Sequence, residues 1–170
     1  MKKETYTKNL NYEFHADRKN AKYTLDGGAH FMNHGEFCEC LAKSVLGYEP
    51  KKDANTKYNK GYDIKELHAS IKSYNCGLTD AKELRGLGFE KFLTQFFATE
   101  LEDTNYIWVY EYDEFVDLWF MNKNEFEYFA RNCSKYDNHC QKIRFKLCNN
   151  KINAFLEKML ESSGNWAFLR

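Results

Sequence analysis

Asp63 and Lys72 stand nine positions apart in the stretch Lys60-Gly61-Tyr62-Asp63-Ile64-Lys65-Glu66-Leu67-His68-Ala69-Ser70-Ile71-Lys72-Ser73. Upstream, Gly35-Glu36-Phe37-Cys38-Glu39 carries two glutamates at i, i+3, a spacing that puts both carboxylates on one face of a helix. Carboxylates on two elements with a lysine beside them suit phosphodiester hydrolysis. They hold a divalent cation, Mg²⁺ or Mn²⁺, that neutralises developing charge and activates water, while the lysine orients or deprotonates that water or stabilises the pentavalent phosphorane. Ser70 stands two positions before Lys72, where a second strand acid would complete the set, and a hydroxyl is a poor, neutral metal ligand.

For these residues to meet, they must be carried by a helix and two adjoining strands. Phe37, Cys38, Leu41, Val45 and Leu46 recur at helical spacing from Gly35 to Leu46, and Gly47 ends the run as a C′ glycine does. Residues 49–61 are polar and aperiodic and read as an exposed loop. Tyr62 to Ile64 and Ala69 to Tyr74 read as short strands with residues 65–68 as their turn. Alternation then puts Ser70 and Lys72 on one face and Ile71 on the other. Residues 79–102 are helical, interrupted at Gly86 and Gly88. Tyr106–Tyr112 and Phe115–Met121 form a hairpin, rich in aromatic and β-branched residues, about Asp113-Glu114. A helix follows Asn122 or Asn124 as N-cap, then a strand at Ile143–Leu147 and an amphipathic helix at Ile152–Leu160. At the N-terminal end, Ala21–Leu25 and Ala29–Met32 read as a hairpin about Asp26-Gly27-Gly28, an appendage or sheet edge. This interleaving predicts an α/β (mixed α+β) fold, a central mixed sheet flanked by helices, in one domain spanning 1–170. Within it, 1–30 is an extension, 31–112 the core and 113–170 the C-terminal strands and helices.

The chain has 170 residues, 43% of them hydrophobic and 17% aromatic, enough for one well-filled core. The 25 basic residues balance the 25 acidic ones, so any nucleic-acid-binding surface must be local. The loop lysines Lys51, Lys52, Lys57 and Lys60, with Lys65 and Ser73 closer to the acids, are the expected DNA contacts; Lys142, Arg144, Lys146 and Lys151 form a second basic stretch. No apolar run reaches the roughly 18 residues of a membrane span and MKKETYTKNLNYEF lacks an apolar core, so a cytoplasmic protein without a membrane partner is expected. In that compartment Cys38, Cys40, Cys76, Cys133, Cys140 and Cys148 are expected as free thiols. His68 beside the turn is a candidate proton carrier or phosphate contact, weighed against an inert loop histidine. His30 and His34 have zinc-like spacing but precede the helix. Each acid also has a plainer reading. Glu36 suits a helix start through the macrodipole, Asp63 suits a turn, and Lys72 suits a solvated strand edge.

The order helix glutamate, strand aspartate, then Ser70-Ile71-Lys72-Ser73-Tyr74 ahead of Leu78-Thr79 resembles the PD-(D/E)XK nuclease superfamily, the restriction-endonuclease-like fold. The resemblance covers roughly residues 31–112. It implies that Glu36, or Glu39 in the competing register, is the helix acid, that Asp63 is the first strand acid, and that Ser70-Ile71-Lys72 stands where (D/E)-x-K would. A Mg²⁺- or Mn²⁺-dependent DNA endonuclease follows as the expected function, and a homodimer would present one site to each strand of a duplex. Ser70 is the departure from the family pattern: either a helix acid makes up the missing charge or the site is inactive. In the second case the expectation is a nuclease-fold binding protein of phage or mobile-element origin, directed at DNA or at a host defence protein.

Overall fold

In the computed structural model of the chain, the described residues are 1–8, 13–20, 22–25, 32–50, 62–74, 87–137, 142–145 and 147–163. They form β1 (Lys2–Thr7), β2 (Phe14–Asp17), β3 (Lys22–Leu25), α1 (His34–Val45), β4 (Ala69–Ser73), α2 (Phe89–Thr99), β5 (Asn105–Glu111), β6 (Phe115–Asn122), α3 (Lys123–Cys133), β7 (Ser134–Asp137), β8 (Lys142–Phe145) and α4 (Asn149–Glu161). A 3₁₀ turn at Lys65–Leu67 precedes β4.

The aromatic hairpin is the centre of the molecule. β5 and β6 pair antiparallel, with Trp108 opposite Trp119; β1 adds antiparallel to β6, and β4 adds parallel to β5, giving a mixed sheet in the order β1-β6-β5-β4. Because side chains alternate along each strand, the sheet has two dissimilar faces. Ala69, Ile71, Ile107, Val109, Val116 and Leu118 pack against Phe37, Cys38, Leu41 and Ala42 of α1. The opposite face presents Tyr106, Trp108, Trp119 and Met121 to Phe92, Phe96 and Phe97 of α2, Phe126 and Phe129 of α3, and Ile152 and Leu156 of α4. Both layers are apolar, and burying each such side chain contributes about 1.5–3 kcal/mol.

Local chemistry sets the helix limits. Asn33 and Asn122 cap α1 and α3. Gly47 takes φ +81°, the left-handed C′ conformation expected of it. Gly88 is the N-cap of α2, so the glycine interruption marks where that helix begins. β3 pairs with β2 on its N-terminal side, joined through a turn in which Asp17 accepts from the backbone and side chain of Asn20. On its other side Tyr23 bridges Met32 antiparallel, and residues 26–31, with the turn and most of the second arm of the expected hairpin, lie outside the described residues. The last strand, β8, pairs with β7 in a separate two-stranded sheet. β7 begins directly where α3 ends, and its polar sequence Ser-Lys-Tyr-Asp carries no strand signal.

Candidate functional site

β4 is an edge strand of the sheet, and the segment before it folds back on that open edge. Ile64 and Ala69 exchange both backbone hydrogen bonds at 3.1 Å, so the expected strand pair shortens to one bridge around the 3₁₀ turn. Asp63 continues the edge with its side chain. Its Oδ2 accepts from the Ile71 backbone N–H at 2.7 Å and from the Ser70 hydroxyl at 3.4 Å. The acid and the Ser70-Ile71-Lys72 strand are therefore brought together, and the serine hydroxyl orients the carboxylate where a second acid would repel it. Ile71 is buried against α1, whereas Ser70 and Lys72 lie half-buried on the opposite face, in register with Tyr106 and Trp108.

The two candidate helix acids have different surroundings. Glu36 is the third residue of α1 and closes a capping box: its backbone N–H donates to Asn33 Oδ1 at 3.0 Å, and its Oε2 accepts from the Asn33 N–H at 3.1 Å. Glu39, one turn on, is only 9% exposed and is held by Lys43 at 2.7 Å. Lys43 lines a cavity of about 250 Å³ whose other walls include Tyr48, Glu49, Asp63, Lys65 and Glu66. Lys43 of α1 thus lines the same cavity as Asp63, while Ser70 bonds the Asp63 carboxylate from β4.

Of the expected DNA contacts, Lys51, Lys52, Lys57 and Lys60 lie outside the described residues, and Lys65 is exposed on the turn beside Asp63. Ser73 is corrected: it is 1% exposed and shares the α1-side alternation with Ile71, so it is not placed to meet a phosphate. In the second basic stretch, Arg144 approaches Asp137 at 3.9 Å and Lys151 is exposed. His30 lies outside the described residues. His34 begins α1 with Nδ1 3.2 Å from the Tyr74 carbonyl and Nε2 3.6 Å from Cys38 Sγ. Burial holds its imidazole below the ordinary pKa, partly offset by the Tyr74 hydrogen bond, and so favours the neutral ring. Cys38, Cys40 and Cys133 are buried thiols outside any disulfide, Cys148 is an exposed one, and burial pushes the Cys133 thiol up to about 12. Cys76 and Cys140 lie outside the described residues.

Three residues that sequence reasoning passed over or left as an inert alternative surround the turn. Asp103, 35 positions from His68, bonds its Nδ1 at 2.5 Å, and the Tyr62 ring stacks on the imidazole at 5.0 Å. Only the Tyr62-to-His68 spacing is visible in sequence; Asp103 arrives through the parallel pairing of β4 and β5.

Among the described residues no three His, Cys, Asp or Glu side chains gather as a metal cluster would require. The Asp63 carboxylate has the hardness that Mg²⁺ and Mn²⁺ select, and Glu39 would have to exchange Lys43 for an ion. Among the same residues no helix is long and apolar enough to cross a membrane. Set against family models, curated proteins and solved structures, the chain matches none.

Proposed function

We propose that the protein is a cytoplasmic, Mg²⁺- or Mn²⁺-dependent DNA endonuclease of restriction-endonuclease-like fold, with its site at the open edge of β4. The observation that carries this reading is Asp63, whose carboxylate is fastened to the strand bearing Ser70-Ile71-Lys72 at 2.7 Å and 3.4 Å. In it, Asp63 and Glu39 hold the cation. When bound, the metal supplies positive charge to the phosphate and acidifies a water molecule. Ser70 fixes the Asp63 rotamer by donating to Oδ2. Lys72, half-buried on β4 in register with Trp108, would orient the attacking water and offset charge on the phosphate. The exposed Lys65 and the basic loop before it meet the backbone phosphates, and a dimer would place one site on each strand.

A second reading rests on one specific observation, the neutral Ser70 combined with no ready-made acid cluster among the described residues. It is a binding protein of phage or mobile-element origin that keeps the fold and contacts DNA or a host defence protein without cutting. Incubating supercoiled plasmid with Mg²⁺ or Mn²⁺ separates the two. The nuclease reading expects nicking or linearisation that falls at least about 100-fold in Asp63→Asn and in Lys72→Ala, the scale of losing one charge-stabilising group. A parent protein that leaves the plasmid intact with either metal leaves only the binding reading.

A further inference from the structure

His68 has backbone angles φ 45° and ψ 42°, and it is the only non-glycine residue with positive φ among those described. Glycine occupies this left-handed region without strain, and histidine is, with asparagine and aspartate, among the few other residues enriched there. The surroundings over-determine its position. Its N–H donates to the Lys65 carbonyl at 3.0 Å and its carbonyl accepts from the Asn105 N–H at 2.8 Å. The ring stacks on Tyr62 with an interplanar angle of 10°, and the Tyr62 hydroxyl lies 3.4 Å from both Asp103 Oδ1 and Thr104 Oγ1.

The ring is thereby given one chemical orientation. A carboxylate only accepts, so the 2.5 Å contact with Asp103 Oδ2 makes Nδ1 the protonated nitrogen, and in the neutral ring the lone pair is then on Nε2. The His68 and Asp103 side chains are 52% and 59% exposed, so Nε2 faces water across an open surface. The other charged groups around it are Lys65 and Glu66 on the 3₁₀ turn and Glu102, which Lys123 engages at 2.9 Å. A base whose tautomer and direction are set by a carboxylate is the arrangement that general-base catalysis uses.

We infer that His68, oriented by Asp103 and Tyr62, is the proton acceptor for the attacking water at the phosphodiester site, a role that resides neither in Ser70 nor in the acids. This rests on the nuclease reading. Tyr62 is the residue before Asp63 and Ser70 follows two after His68, so one turn joins the dyad to the proposed metal edge. In the step, Nε2 takes a proton from water as the water oxygen bonds to phosphorus. The bond from phosphorus to the leaving oxygen breaks, that oxygen is protonated by solvent, and His68 later returns its proton to solvent.

The test is His68→Gly and His68→Asn, both of which accept the backbone angles, with Asp103→Asn as a third variant. Cleavage of plasmid is measured with Mn²⁺, binding of a labelled DNA duplex is measured with Ca²⁺, and melting temperature is measured for each. The inference expects both His68 variants to cleave about 100-fold more slowly or worse, to bind within about twofold of the parent, and to melt no lower. Added imidazole should restore part of the His68→Gly rate, and Asp103→Asn should show a smaller loss of rate. Cleavage by His68→Gly within about threefold of the parent would overturn the inference and leave the dyad as a pin between the turn and β5, with the nuclease reading intact. Loss of rate matched by equal loss of binding would overturn it in favour of a binding contact. A parent that cleaves nothing removes the nuclease reading and this inference with it.

Discussion

α1 and α3 begin in the same way, and the likeness bears on which glutamate is proposed for the metal. At the start of α3, Asn122 accepts from the Glu125 N–H at 2.9 Å and Glu125 Oε2 accepts from the Asn122 N–H at 2.9 Å. At the start of α1, Asn33 and Glu36 make the same two bonds at 3.0 Å and 3.1 Å. The reciprocal cap engages each carboxylate, Glu125 also accepts from the Met1 amino group through Oε1 at 2.6 Å, and α3 has no chemistry assigned to it. Glu39 has no counterpart in α3. It is nearly buried and paired at 2.7 Å with Lys43, which lines the Asp63 cavity. Glu36 therefore ends the helix's unpaired amides, which leaves Glu39 as the helix acid proposed for the metal.

This comparison can be broken at three places. Glu39→Gln should reduce metal-dependent cleavage by at least about 100-fold, the upper end of what losing a metal's supporting group costs, read from plasmid nicking rates. Asn33→Ala and Asn122→Ala should each lower unfolding free energy by about 1 kcal/mol in urea titrations, because each strips the same cap. Unequal losses would show that the two helix starts are not equivalent. Glu36→Gln has the smallest expected effect. The amide oxygen still closes the box, so stability should change by less than about 0.5 kcal/mol and the cleavage rate should stay within about twofold. A large loss of rate in Glu36→Gln would return the metal to the helix start.

Much of this architecture was legible in the chain because its signals are local. Asn33-x-x-Glu36 and Asn122-x-x-Glu125 mark two helix starts by spacing alone, and the first of them already holds the capping explanation for Glu36. The β5–β6 hairpin announces itself through aromatic and β-branched residues around an acidic turn. What stayed hidden depends on distant partners. β1 joins β6 across more than a hundred residues, and β4 lies parallel to β5 with no short turn to reveal it. β7 is polar and follows a helix without a breaker. The left-handed backbone at His68 and the arrival of Asp103 beside it are products of that parallel pairing. Asp63 and Lys72 were visible as residue types, but only the folded edge puts the Asp63 carboxylate on the Ile71 amide.

Asp63 is the carboxylate proposed to receive the metal, and a metal-dependent thermal shift compared between parent and Asp63→Asn tests this most directly. Asparagine can still accept the Ile71 N–H, so the variant should fold and melt close to the parent without metal. Mn²⁺ at about ten times its dissociation constant should raise the parent's melting temperature by about 3–6 °C and leave Asp63→Asn where it was. An equal shift in both proteins, or none in the parent, would contradict it.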